Sequence, residues 1–198
     1  MQENRKSKSN KLRTEQSRAA LIKAARTFFA TKGYAETSTP EIVQQAGVTR
    51  GALYHHYKDK LDLFRAVVTQ EYTSVAAEID AYALESPSSA IDALKQGSRA
   101  FLRAMQDQGR VRLMLVDGPL VLGFDELGEI DRRTSMDSLR LGLEAAMDAG
   151  EMRRLPLDAL TLQLSALFDR AALAISEGAD REAHLEVLDA VFDSLKAE

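Results

Sequence analysis

Apolar positions along this chain recur every three or four residues almost without interruption, and runs of alternating β-branched residues are missing. That rhythm keeps one side of each segment on a single helical stripe, so the fold class is all-α. The first stripe, Ile22, Ala25 and Phe29, belongs to a helix expected over 14–32 and stopped by Gly33. Thr39-Pro40 opens a second helix, with a hydroxyl cap followed by proline at the first helical position, and Gly47 ends it after Ala46. Thr49 caps a third over 50–57. Asp59 caps a long fourth, whose apolar positions include Leu61, Phe64, Val68, Tyr72, Val75, Ile79 and Tyr82.

The rest of the chain keeps the same period. Ser86-Pro87 opens a helix reaching about Gln108, and another over 110–116 stops at the Asp117-Gly118-Pro119 break. A third spans 125–148 and ends before Gly150. The last two, 157–177 and 181–196, form a hairpin around Gly178. Their stripes are Leu160, Leu164, Leu167 and Ala171, then Leu185, Leu188, Phe192 and Leu195. They are more apolar than a peripheral hairpin needs, and two copies would close a four-helix bundle, so these eight residues are the expected dimerisation surface.

Charge divides the chain where the pattern alone does not. Residues 1–60 hold 12 Lys/Arg against 5 Asp/Glu, whereas 61–198 hold 14 against 25, behind a net charge of only −4. A basic end suited to a polyanion is thus joined to an acidic body. The organisation expected is a basic tail over 1–12, a three-helix domain over 13–60 and a helical body over 61–198. The tail carries Arg5, Lys6, Lys8 and Lys11 among polar residues, has almost nothing to bury, and is expected to be disordered. The absence of cysteine excludes disulfides, thiolate metal sites and cysteine nucleophiles, and fits a reducing cytoplasm. No stretch approaches the roughly 20 apolar residues of a membrane helix, and neither a membrane span nor a secretory leader is expected.

Thr39 to Lys60, TPEIVQQAGVTRGALYHHYKDK, carries the candidate chemistry. Two short helices joined through Gly47 have the pattern of a helix-turn-helix, whose second helix enters the major groove of DNA. Ile42, Val43, Ala46, Val48 and Leu53 hold the pair together, while Arg50, Tyr54, His55, His56 and Lys58 lie on or near the outer face. Thr39 and Lys60 sit at helix starts, where hydroxyl, amide and ammonium groups hold phosphates. Gly51 and Ala52 are small enough to let the helix backbone approach base edges, with the Ala52 methyl available to a thymine methyl; filling space in a short helix is the alternative.

The string GVTRGALYHHYKDKLDLF, preceded by Phe28-Phe29, Gly33-Tyr34 and Thr37 to Ile42, resembles the DNA-binding domain of the tetracycline-repressor (TetR/AcrR) family over residues 14–64. The resemblance implies Thr39 and Lys60 as phosphate anchors and Arg50, Gly51, Ala52, Tyr54 and His56 as the groove-facing surface. Tyr54 meets phosphate or base, and the sequence leaves both open. Pro40 replaces a polar base-contacting residue of some relatives, which passes more of the base reading to the third helix. It further implies a homodimer on double-stranded, palindromic operator DNA, acting as a repressor released by a small-molecule effector bound in the C-terminal body.

Five of the six methionines lie beyond residue 100. Phe101, Met105, Met114, Phe124, Met136 and Phe168 are candidates for an adaptable apolar ligand pocket, and ordinary core packing accounts for them equally well. The adjacent His55 and His56 lack the further ligands of a zinc site, since only His184 remains elsewhere, so no metal and no cofactor are expected. The acidic run Asp125, Glu126, Glu129 and Asp131 reads as a solvated first helical turn. No phosphate loop, nucleophile elbow or HExxH motif occurs, and an enzyme is not expected. A constitutive architectural DNA binder, and a helical enzyme or adaptor with an incidental helix-turn-helix, are the competing readings.

Overall fold

The computed structural model describes the backbone of residues 2–83 and 87–197, and the side chains of 12–82 and 87–197. Eleven α-helices and one π-helical segment account for most of it, with no strand among the described residues. The chain divides into two compact units, Met1–Thr69 and Gln70–Glu198.

The N-terminal unit holds α1 (Gln2–Lys32), α2 (Thr39–Ala46), α3 (Arg50–His56) and the first part of α4 (Lys60–Ala83). α1 begins far earlier than expected, so the backbone of the basic tail is helical rather than disordered. No glycine or proline interrupts residues 1–32, and straight-chain Gln, Lys, Arg and Glu extend a helix at little cost even when they bury nothing. The core of this unit is Leu21, Ala25, Phe29, Ile42, Leu53, Leu63 and Phe64, all fully buried. Phe64 meets Phe29 edge-on at 5.1 Å between ring centroids and Tyr34 at 5.0 Å. These contacts explain why the start of α4 belongs to the N-terminal unit and the division falls inside that helix.

The cap of α2 lies one residue before the expected Thr39. The Ser38 hydroxyl accepts from the Glu41 amide while the Glu41 carboxylate accepts from the Ser38 amide at 3.2 Å, a reciprocal capping box. Lys32 binds the other oxygen of Glu41, and together these contacts, Lys32 first, pull the Glu41 carboxyl down to about 2. At the other end Gly47 closes the helix at φ 65°, a left-handed conformation that favours glycine. Asp59 caps α4 as expected, accepting from the Asp62 amide at 2.8 Å.

The C-terminal unit is built around α5 (Ala90–Ala104), which packs against α9 (Ser135–Asp148), α10 (Leu157–Ser176) and α11 (Arg181–Ser194). Ser89 caps α5; Ser86, expected to open this helix, lies outside the described residues. Glu151, between α9 and α10, accepts from the α5 amides of Ala90 at 3.1 Å and Ile91 at 3.0 Å. Arg99 of α5 grips the Asp189 carboxylate of α11 with both guanidinium ends, and Lys95 reaches Asp193 at 2.7 Å.

Two expected elements differ. The helix over 110–116 does not stop at Asp117-Gly118-Pro119: α6 (Gln108–Val111) runs through a π-helical segment (Arg112–Asp117) into α7 (Gly118–Leu122). Pro119 lacks the amide a regular turn would use, and the wider turn makes room for its ring. A Cβ on Gly118 would stand 2.7 Å from the Leu113 carbonyl oxygen, so only glycine fits beneath that turn. The helix over 125–148 is likewise two: α8 (Phe124–Arg132) and α9, broken at Arg133-Thr134, where the Thr134 hydroxyl turns back to the Ile130 carbonyl at 2.9 Å.

The expected dimer stripe faces inward. Leu164, Ala171, Leu185, Leu188, Phe192 and Leu195 are buried within this one chain, and only Leu160 and Leu167 keep intermediate exposure. The apolar period therefore reports the chain's own core, and Phe168 shows how, standing between Phe101 at 6.0 Å and Phe192 at 6.3 Å. The outer face of the same hairpin carries a different apolar set: Ala159, Leu162 and Ala166 of α10 with Ala183, Val187 and Ala190 of α11, all exposed.

Candidate nucleic-acid interface and interior cavity

α3 is seven residues long and held at its start by Thr49, whose hydroxyl accepts from the Ala52 amide at 3.1 Å. Leu53 and the following Tyr57 turn inward and are buried, which leaves Arg50, Gly51, Tyr54 and His55 exposed on the other side. Arg50 and Tyr54 are one turn apart, with the guanidinium 5.5 Å from the ring centroid. Arg50 and, from α2, Thr39 also hydrogen-bond the Tyr54 hydroxyl, and these contacts hold its pKa below the usual tyrosine range. Thr39, Arg50 and Tyr54 thus form one polar surface across α2 and α3.

The remaining expected contacts distribute unevenly. Gly51 is exposed, and a Cβ there would meet nothing closer than the Thr49 hydroxyl at 3.8 Å, so the fold itself does not require glycine. Ala52 is half-buried and Lys58 exposed beyond the end of α3. Of the two histidines it is His55 that stands out, while His56 is half-buried. Burial first, then electrostatic repulsion from His55 and from Arg18 on α1, lower the His56 pKa. Lys60 corrects the expectation most clearly. Its ammonium donates to the Tyr34 carbonyl at 2.9 Å and the Thr37 carbonyl at 3.0 Å and sits 4.3 Å from the Tyr34 ring centroid. It ties down the turn between α1 and α2, and that use competes with phosphate binding.

The C-terminal unit holds a cavity of about 160 Å³, partly open to solvent and bordered by α4, α5, the π-helical segment, α8, α9 and α10. Phe101, Met114, Met136 and Phe168 line it. Met105 and Phe124 do not. Met105 is buried just past the end of α5, and Phe124 is 82% exposed at the start of α8, with Gly123 alone between it and the end of α7.

The sequence did not place any acid in the cavity, yet acids line it. Asp131, read there as part of a solvated turn, lines the cavity from the end of α8, and Asp169 lines it from the middle of α10. Asp131 accepts the Ser135 hydroxyl at 2.6 Å. Burial holds both carboxyls above the usual range; Asp169, with the Asp131 charge adding to burial, is pushed up to about 7. The available signal was a carboxylate directly after Phe168, next to the apolar stripe of its helix.

Next to the cavity, Arg110 of α6 joins three elements. It donates to Glu71 at 3.1 Å and Glu78 at 2.9 Å, both on α4, and to the Ala104 carbonyl ending α5 at 2.9 Å. Among the described residues, no helix is long and apolar enough to cross a membrane.

Comparison with known proteins agrees over both units. Residues 21–67 match the model of bacterial regulatory proteins of the tetR family, and residues 91–197, over half of the chain, match that of the tetracyclin repressor-like C-terminal domain. The transcriptional repressor AcnR of Corynebacterium glutamicum is 27% identical over 179 residues, covering 88% of this chain and 90% of that protein. The repressor BepR of Brucella suis is 40% identical over 58 residues, 29% of this chain and 28% of that protein. A TetR-family regulator from Pectobacterium atrosepticum, known from its crystal structure, superposes with a TM-score of 0.73 at 28% identity, covering 94% of this chain and 97% of that one. With a helix-turn-helix in the N-terminal unit and a helical C-terminal unit that carries the family's own signature, the chain belongs to the TetR family and is a DNA-binding transcriptional regulator of the repressor type, not an enzyme.

Proposed function

We propose that this regulator is a ligand-responsive repressor which binds a palindromic operator as a homodimer and releases it when a small molecule enters the C-terminal cavity. The observation that carries the reading is the cavity itself, an apolar chamber with a few polar groups, bordered by the same helix, α4, that begins in the N-terminal unit.

Arg50, Gly51, Tyr54 and Thr39 are the residues proposed to meet DNA, with His55 and Lys58 beside them. Arg50 offers the fork that pairs with guanine, and Tyr54, already hydrogen-bonded by Arg50 and Thr39, is oriented before DNA arrives. Thr39 holds phosphate, while Ala52 and His56 lie at the margin. Lys60 acts on phosphate indirectly, by fixing the turn that presents α2.

The dimer face proposed is the outer side of the hairpin, Ala159, Leu162, Ala166, Ala183, Val187 and Ala190. Small side chains on both helices allow close approach of two copies into a four-helix bundle. Two α3 helices would then engage half-sites about 34–36 Å apart. A ligand that presses on Met114 moves the π-helical segment, and Arg110 carries that movement to Glu71 and Glu78 of α4. The effector shifts operator affinity only by as much as it prefers one position of α4 over the other. Such a regulator works in the cytoplasm, where its operator is.

DNase I footprinting on the DNA upstream of the protein's own gene tests this reading. Protection of two symmetric half-sites about one helical turn apart is expected, and lost when Arg50 and Tyr54 are both replaced by alanine. A single unsymmetric patch, unchanged by those replacements, would overturn it.

A further inference from the structure

The cavity is lined by acid without base. Its walls are apolar, with Leu94, Phe101, Met114 and Phe168 among them, yet Asp80, Asp131 and Asp169 line it from three different helices and no Lys, Arg or His does. Asp80 is exposed and accepts the Ser138 hydroxyl at 3.0 Å. Asp131 is held by Ser135, with Ser165 and the Met136 amide also hydrogen-bonding it. Asp169 takes no hydrogen bond and no ion pair among the described residues, and the charge that acts on it is that of Asp131, of the same sign.

A carboxylate set in an apolar wall without a counter-ion burdens the empty protein. A ligand bringing its own positive charge relieves that burden on entry, a neutral ligand leaves it, and an anion adds to it. A metal ion is disfavoured, since no group of three His, Cys, Asp or Glu stands in metal-binding arrangement among the described residues. The volume, about 160 Å³, sets the size of the body that accompanies the charge: a dry cavity of about 150 Å³ holds one benzene ring.

We propose that the effector is a small organic cation, a primary amine on an apolar body of about one aromatic ring, with its ammonium against Asp169 and Asp131 and its body against Phe101, Met114 and Phe168. This rests on the cavity being the effector site. The ammonium supplies the donors that Asp169 lacks, and the ring replaces the missing contacts along the apolar wall.

A pH signature follows. Asp169 titrates near 7, with burial as the main cause and Asp131 as the second. The charged and titratable groups sharing the cavity are Asp131 from α8 and Tyr72 and Asp80 from α4, and none of these is a base. Below about pH 7 an amine must displace a proton from the carboxyl, so its affinity rises with pH, by up to tenfold per unit well below the pKa. A neutral ligand displaces none.

The test is calorimetric titration of the full chain with 2-phenylethylamine, 2-phenylethanol and phenylacetate at pH 6 and pH 8. The amine is expected to bind at least tenfold more tightly than the alcohol at pH 8, to lose most of that advantage at pH 6, and to outcompete phenylacetate at both. Asp169→Asn should abolish the preference while leaving alcohol binding, which also reports that the variant is folded. Alcohol binding equal to or tighter than amine binding at pH 8, or any preference for phenylacetate, overturns the charge assignment while leaving the cavity reading intact. Binding of none of the three overturns both.

Discussion

At the scale of single residues, the two ends of the chain use polar groups in opposite ways. On α3 the polar residues are exposed and mutually oriented, and Gly51 is small without any internal need to be. Gly51→Ala should therefore stabilise the fold, by about 0.5–1 kcal/mol, because alanine loses less backbone freedom in a helix. The same methyl lies on the surface proposed to approach DNA, so operator affinity should fall about tenfold. Thermal unfolding and DNA titration of one variant read both signs. In the cavity the sign is set by charge. The Asp169 carboxyl is raised from an ordinary value of 3.8 to about 7, so the folded chain holds its proton over a range in which the unfolded chain has released it. Stability drawn from this group declines as pH rises from about 4 to about 7, and the gain in Tm of Asp169→Asn over the parent should grow across that window and then level off. An equal gain at pH 4 and pH 8 would show that the carboxyl titrates normally.

Legibility in the sequence depended on whether a residue's role was local. Ile42 and Leu53, on either side of a turn glycine, were readable because the helical period alone puts them inside. Asp131 and Asp169 were not, because only the packing of α9 against α8 and α10 reveals that their side of the helix faces a cavity. Lys60 had an obvious charge at an obvious helix start, yet its partners are carbonyls 23 and 26 residues away.

At the scale of elements, helices were legible and their joints were not. Ser38 and Thr39 are both acceptable caps, and Glu41 decides between them by standing three residues after Ser38. Ser38→Ala should cost about 1 kcal/mol, seen as a drop in Tm of about 2–4 °C. The π-helical segment is the least expected joint, since Gly118-Pro119 usually reads as a stop. Its geometry rests on a glycine with no room for a Cβ, and Gly118→Ala should be destabilising by about 1–3 kcal/mol through the clash with the Leu113 carbonyl. Urea unfolding checks this, and a neutral result would mean that the turn relaxes to an ordinary helix. Arg110 binds this segment to α4, where Glu71 is only 4% exposed. Removing the guanidinium in Arg110→Ala should cost about 3 kcal/mol and should weaken the effect of any ligand on DNA binding.

At the scale of the whole molecule, an all-α chain with a basic N-terminal end and an acidic body was readable before any coordinates, and the family match agrees with it. The dimer surface was the largest misreading, because one apolar stripe cannot say whether it faces its own chain or another copy. The outer stripe makes a separate prediction: Leu162→Glu combined with Val187→Glu should convert a dimer to a monomer by sedimentation, with helical content unchanged, and should lower operator affinity. Specific operator recognition through α3 is the proposal on which the others depend. Its most direct test is fluorescence anisotropy of the full chain on the DNA upstream of its own gene, with random DNA as competitor, at two salt concentrations. The account predicts saturable binding that outlasts the competitor at the higher salt and disappears in the Arg50→Ala/Tyr54→Ala double variant. Binding that falls equally on both DNAs as salt rises, and is indifferent to that double variant, would contradict it.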